Sequence, residues 1–241
     1  MNKYFDDFVF QYDMNDKEIN YKYHHSYRVM NNMELLSTKL NLNSKDTHLA
    51  KVIGLFHDIG RFEQDKIYNS FKDKNFDHGN YGVYILKATN FLDNFNIDKE
   101  DYEVVYKAID NHNQFKINTG LTERELFFSK LIRDADKLDI IYALANPNIK
   151  ENLRQSADEI TEIVKTKFFN QENIELKDTK NINDSLVLTL SFIYDINFIE
   201  TYKIISENKY YDKIYERIER KDIFTPYIEH INKFLNERID K

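Results

Sequence analysis

The sequence predicts an all-α protein, and three observations carry that prediction. Only 5 Gly and 2 Pro in 241 residues leave too little turn chemistry for a many-stranded fold. Charged residues make up 31% of the chain, which suits long helices with solvated faces. Apolar residues recur at helical spacing through most of its length. Aromatics at 15%, with 17 Tyr and 18 Phe, can build a core for one large domain or a domain with an appended helical part.

The first helix is expected over about 18–40, where His25, Val29, Met33, Leu36 and Leu40 share a stripe. The stretch NLNSKD breaks it, and Ser44 or Asp46 is placed to cap the next helix. That second helix carries Leu49, Val52, Ile53, Phe56 and His57, with Gly60 placed to end it. KDKNFDHGNYGVYILKATNFL reads as a loop, then Asp77 as an N-cap, then a helix from about His78. A fourth helix follows Asp98 as its cap, with Val105, Ile109 and His112 on one face. The fifth opens on a Thr122/Glu125 capping box and stops before Pro147. Residues from about 151 to 241 are again helical in period but poor in His, and are expected to pack on the first five helices.

Net charge is −7, which argues against duplex nucleic acid as a partner, because phosphate contacts need a basic surface. A small anionic substrate remains compatible, since a metal ion reverses the local field. There is no Cys, so any metal must be held by His and carboxylates. The N-terminal stretch MNKYFDDFVFQYDMND has no apolar h-region, and SLVLTLSFIYDINFI is broken by Asp195. The expectation is a soluble, cytoplasmic protein without a membrane partner. Its oligomeric state is not encoded legibly.

GLFHDIG presents the sharpest anomaly: an apolar run that ends in adjacent His57 and Asp58. Taken singly, His25 or His112 reads as a satisfied core histidine, and His78 beside Asp77 as part of a helix start. His24, His48 and His230 read as surface or structural residues. Asp58 is harder to place, because a carboxylate at the buried end of an apolar helix needs a cation or several donors. Asp136 poses the same problem, lying with Phe128, Ile132 and Ala135 on one side of its helix. Asp134 and Asp139 read as surface charges paired with Arg133 or Lys137. One shared metal centre accounts for the inward imidazoles and carboxylates together. Imidazole and carboxylate suit Mn, Fe, Co, Ni or Zn when thiolates are absent, and the two oxygens of Asp58 can bridge two ions.

The ordered set His25, His57-Asp58, His78, His112 and Asp136 resembles the HD superfamily of metal-dependent phosphohydrolases. The blocks HHSYRV, GLFHDIGRFEQ, DHGNYG, AIDNHNQ and LIRDADKLD carry the resemblance over about residues 20–142. It implies an HD-domain helical bundle, with 1–241 as a single domain and about 151–241 as a C-terminal extension. It implies His25, His57, Asp58 and Asp136 as the core metal site, with His78 and His112 as further ligands in two-metal members or phosphate contacts in one-metal members. One or two divalent ions are implied, Mg included. The implied nucleophile is a metal-bridging hydroxide, with Asp58 as the bridging carboxylate and with His78 or His112 handling protons if the site holds only one metal. Lys137 resembles a phosphate-contacting position. Arg28 and Arg61 lie near the ligands as phosphate clamps or as surface salt bridges.

The implied substrate is a nucleotide or another small phosphorylated metabolite. NQFKINTGLTERE after His112 lacks the Gly-Tyr-Pro block of cyclic dinucleotide phosphodiesterases, and no synthetase-like second domain is visible. Large deoxynucleotide triphosphohydrolases of the superfamily are longer. Substrate choice is assigned to loops such as 61–77 and 113–122. Two further readings share the ligand set: a di-iron oxygenase on the HD fold, and a non-catalytic metal-binding or sensing module.

Overall fold

A computed structural model describes residues 2–71 and 76–240, and among them every regular element is helical. The all-α expectation holds. No described helix is long and apolar enough to cross a membrane. The chain divides into two compact units, Met1–Asp136 and Lys137–Lys241.

The first unit is built from α1 (Asn2–Val9), α2 (Lys17–Lys39), α3 (Ser44–Phe56), α4 (Ile59–Tyr68), α5 (His78–Thr89), α6 (Tyr102–His112) and the first part of α7 (Glu123–Ala145). Asp16 caps α2 by accepting from the amides of Glu18 and Ile19. Val29, Met33 and Leu36 of α2 are fully buried, as are Ile53 and Phe56 of α3. At Gly54 a Cβ would stand 2.9 Å from the Cα of Met30, so glycine there lets α2 and α3 approach closely. Below them Phe5 of α1 meets Phe56, Phe62 and Tyr27 edge-on, an arrangement that favours aromatic packing.

With so few glycines, asparagine takes four of the six left-handed positions held by residues other than glycine among the described residues. Asn69 ends α4 at φ 47° and Asn90 ends α5 at φ 51°, while Asn41 adopts φ 56° after α2. Asn tolerates this region better than other side chains with a Cβ.

Several local expectations are corrected. The cap of α3 is Asn43, which accepts from the amide of Asp46; Ser44 is already helical. Asp98 precedes a 3-10 turn (Lys99–Asp101) leading into α6, and its carboxylate pairs with Lys45 at 2.7 Å instead of capping. Gly60 does not end α3. The helix ends earlier, at Phe56, and Gly60 is the second residue of α4. Helix therefore replaces loop over residues 61–68, while 72–75 of that expected loop lie outside the described residues. The Thr122/Glu125 box is present, with both reciprocal bonds formed at 2.7 and 3.2 Å.

The second unit holds α8 (Glu162–Phe169), α9 (Ile182–Leu190), α10 (Ile199–Glu207), α11 (Tyr210–Arg217) and α12 (Lys221–Ile239). Its irregular stretch near 151–161 is fixed by two buried side chains of α9. Asn183 binds the backbone of Ser156 and Asp158, and Asp184 accepts from the amide and hydroxyl of Thr161 and the amide of Lys180.

Candidate metal centre

The centre forms where α3 gives way to α4. His57 follows the last residue of α3, and Asp58 occupies the N-cap position of α4 at φ −104°, ψ 14°. The Asp58 side chain makes no capping bond, so its carboxylate is turned away from its own helix. That two-residue corner lets adjacent side chains reach one point, which a regular helix forbids.

Four further helices deliver donors to it. His25 projects from the middle of α2, His78 opens α5, His112 closes α6, and Asp136 lies on α7. Around one oxygen of Asp58, Oδ2, stand His25 Nε2 and His57 Nε2, each at 3.4 Å. Around the other, Oδ1, stand His78 Nε2 at 3.3 Å and His112 Nε2 at 3.4 Å. Asp136 Oδ1 completes the first side, 3.1 Å from His25 and 3.7 Å from His57. The structure thus brings together all six residues that the resemblance implied as ligands. All are buried except Asp136, whose side chain is 16% exposed.

Among the described residues, two sets of donor atoms each lie mutually within 4.8 Å: His25, His57 and Asp136, and His57, Asp58 and His112. A divalent ion with bonds of about 2.1 Å needs donors about 3.0–3.4 Å apart, the edges of an octahedron or tetrahedron. Most of the separations above fall in that range. The tautomers agree as well. His57 Nδ1 donates to the carbonyl of Gly54 at 2.8 Å, and His112 Nδ1 to that of Ile109 at 2.6 Å. A neutral imidazole so held presents its Nε2 lone pair inward, as a metal ligand must. His57 and His25 meet Nε2 to Nε2 at 3.2 Å, and His78 and His112 at 3.0 Å. Each such pair needs a proton or a cation between its nitrogens, because two lone pairs at that distance repel. The donor set therefore fits a divalent metal.

The field of the site acts on its own groups. Burial alone would raise the Asp58 carboxyl, but the Lys22 and His57 charges and bonds from His112 and His25 outweigh it and hold it well below the usual range. Asp136 is likewise held low, burial being overcome by hydrogen bonds from His25 and His57. Burial pushes the His112 imidazole down to about 4, with the neighbouring His78 and His57 adding to the fall. At His57 burial works downward too, yet the Asp58 and Asp136 carboxylates prevail and its pKa is raised.

Supporting residues fix the helices that carry the donors. Asp77 caps α5 through the amides of Gly79 and Asn80 and also accepts from Asn113 and Gln114, at 3.0 and 2.9 Å. It thereby ties the start of α5 to the end of α6. Arg133 of α7 binds the final carbonyls of α6 and that of Gln114, and Asn32 of α2 binds the carbonyl of Ala135, next to Asp136. Asp134 and Asp139 are buried, at 0% and 1% exposure, which corrects the expectation of surface charges: their stretch of α7 also buries Arg133 and Lys137.

The sequence reading missed Lys22. It lies one turn before His25 on α2, and its ammonium is 2.6 Å from Asp58 Oδ2. The i, i+3 spacing was the signal available. Arg61 sits on the opposite side, with Nε 3.7 Å from Asp58 Oδ1 and Nη1 bound to Gln64 and to the carbonyl of Phe71. Arg28 lies over the Tyr21 ring, which stacks in parallel on His25. Lys137 pairs with Asp195 at 2.8 Å within the second unit. His24 is exposed, His48 Nε2 contacts the Phe95 carbonyl at 2.6 Å, and His230 packs against Phe168 and Phe169.

The family model described as HD domain matches residues 23–141, the stretch that holds all six donors. Comparison with curated proteins and with solved structures gives no match.

Proposed function

Because residues 23–141 place this chain in the HD domain family, we propose that it is a metal-dependent phosphohydrolase acting on a small phosphorylated metabolite or nucleotide in the cytoplasm. The observation that carries the reading is the two-sided presentation of Asp58, each oxygen facing its own pair of imidazoles. Divalent ions bound there would lower the pKa of a coordinated water and polarise a phosphoryl oxygen.

The residues around that chemistry divide the work. His25, His57, Asp58, Asp136 and His112 supply the donor atoms. His112, with its pKa near 4, stays neutral at physiological pH and keeps its Nε2 lone pair. His78 differs: the Asn113 amide, oriented by Asp77, points its Nδ2 at His78 Nδ1, 3.3 Å away. With its ring held by that contact, His78 gives its Nε2 to a second ion in a two-metal site, and in a one-metal site it is the neighbour that hands a proton to the leaving oxygen. Lys22 and Arg61 flank Asp58 with positive charge and supply phosphate recognition; Lys137 pairs with Asp195. The two cations favour an anionic substrate over a neutral one.

The test is an assay of protein loaded with Mn, Co or Ni against a panel of phosphate esters. The wild type should turn over at least one ester, and a His57→Ala, Asp58→Ala double variant none. Equal rates for the two proteins across the panel would reject the reading.

A further inference from the structure

Asp58 Oδ2 has two claimants of the same sign. The His25 and His57 nitrogens face it at 3.4 Å, the arrangement that admits a divalent ion. The Lys22 ammonium is nearer, at 2.6 Å, on a side chain only 16% exposed. A divalent ion and an ammonium within about 4 Å of each other repel strongly in a partly buried site. The lysine stem is flexible and its charge is not directional, so it can leave the carboxylate without disturbing α2. An alternative resting place adjoins it, since the Phe71 ring centroid is 5.8 Å from the ammonium. Arg61 reaches the same ring from α4, at 5.7 Å.

We infer that Lys22 is an exchangeable cation: it neutralises Asp58 when no metal is bound, and metal loading moves it off the carboxylate to meet a phosphoryl oxygen. Lys22 thus lowers metal affinity while raising affinity for phosphate, and it couples the two. The second half rests on the phosphohydrolase reading, whereas the first is a statement about metal binding alone.

The experiment titrates Mn²⁺ into chelator-treated wild type, Lys22→Met and Lys66→Met by calorimetry, then inorganic phosphate into each loaded protein. Lys66 is an exposed cation of α4 beside Glu63, and serves as the control for general charge. The Lys22→Met protein should bind Mn²⁺ about tenfold tighter and phosphate about tenfold weaker, with Lys66→Met matching the wild type. Unchanged or weaker Mn²⁺ binding by Lys22→Met overturns the exchange, as does unchanged phosphate binding. A second measurement does not depend on the folding of that variant. With ¹⁵N-labelled lysine, the Lys22 ammonium signal of the wild type should shift on adding diamagnetic Zn²⁺ and shift again with phosphate. A signal indifferent to Zn²⁺ rejects the proposal. Metal and phosphate effects as expected, without hydrolysis of any ester, would support the exchange and reject the enzymatic reading. Absence of Mn²⁺ binding by every protein would reject both.

Discussion

Replacing Gly60 with alanine sets two effects against each other. Gly60 is the second residue of α4, where alanine gains at most about 1 kcal/mol of helix propensity. A Cβ at that position, however, would stand 2.2 Å from the His78 carbonyl oxygen and 3.0 Å from the Gly82 nitrogen. Both neighbours are backbone, so no rotamer change relieves the contact. α4 and α5 must separate by about 1 Å to restore an ordinary carbon–oxygen distance. Overpacking of this kind costs about 1–3 kcal/mol, and a backbone clash this close belongs at or above the upper end. The clash wins, for a net loss of about 2 kcal/mol, which lowers Tm by roughly 4–8 °C in a chain of this size. The same displacement pulls His78 from Asp58 and His112, now 3.3 and 3.0 Å away, and should weaken Mn²⁺ binding by about tenfold. Thermal melts followed by circular dichroism, with Mn²⁺ calorimetry on the same preparations, measure both effects. Gly120→Ala is the comparison: its φ of +80° carries about 1 kcal/mol of strain, but nothing lies within 4 Å and Mn²⁺ binding should not change. A Gly60→Ala protein that melts at or above the wild-type temperature with unaltered Mn²⁺ affinity would refute the close-approach reasoning.

Four other outcomes are expected. The depressed His112 pKa means that the unfolded chain binds the extra proton between about pH 6.5 and 4, so stability should fall by up to about 3 kcal/mol as pH drops through that window. His57 has the opposite sign: its raised pKa contributes stability below about pH 6.5 that is lost as pH climbs through the folded value. Urea unfolding of chelator-treated protein should therefore show a maximum near pH 6.5; a flat profile from pH 4.5 to 8.5 would contradict both assignments. Saturating Mn²⁺ at about 100 times Kd should stabilise the wild type by about 2.7 kcal/mol, visible as a rise in Tm of about 5 °C or more. Asp58→Asn keeps the shape but removes the charge shared by both sides, so calorimetry should find Mn²⁺ affinity down at least 100-fold. In the second unit, Asp184→Ala strands the Thr161 amide, the Thr161 hydroxyl and the Lys180 amide, and should cost about 3–5 kcal/mol in denaturant melts.

Particular residues show how far the sequence could be read. The stripe from His25 to Leu36 and the Asp77 cap are local features, each fixed within a few residues of chain, and the helices stand where those patterns put them. The Thr122/Glu125 box likewise needs only its own turn. The break after Phe56 was harder, because GLFHDIGRF is helical in period on both sides and the corner residue Asp58 has no turn signature of its own. Gly60 supplied a plausible stop signal, while its actual constraint comes from the His78 carbonyl, 18 positions away in the chain. Arg133 and Asp134 look like surface charges in any window around them; their burial depends on packing that no local pattern encodes.

By itself the sequence determined that the chain is helical, that metal ligands would have to be His and carboxylate, and which apolar faces carry them. Those properties follow from composition and from spacing within single helices. Only the tertiary structure decided that His25 and His57 face one oxygen of Asp58 while His78 and His112 face the other, and that Lys22 shares the first. Donor separations of about 3 Å depend on how five segments are rotated and spaced against one another. That is set by close contacts such as Gly54 on Met30 and Gly60 on His78, which join residues distant in sequence.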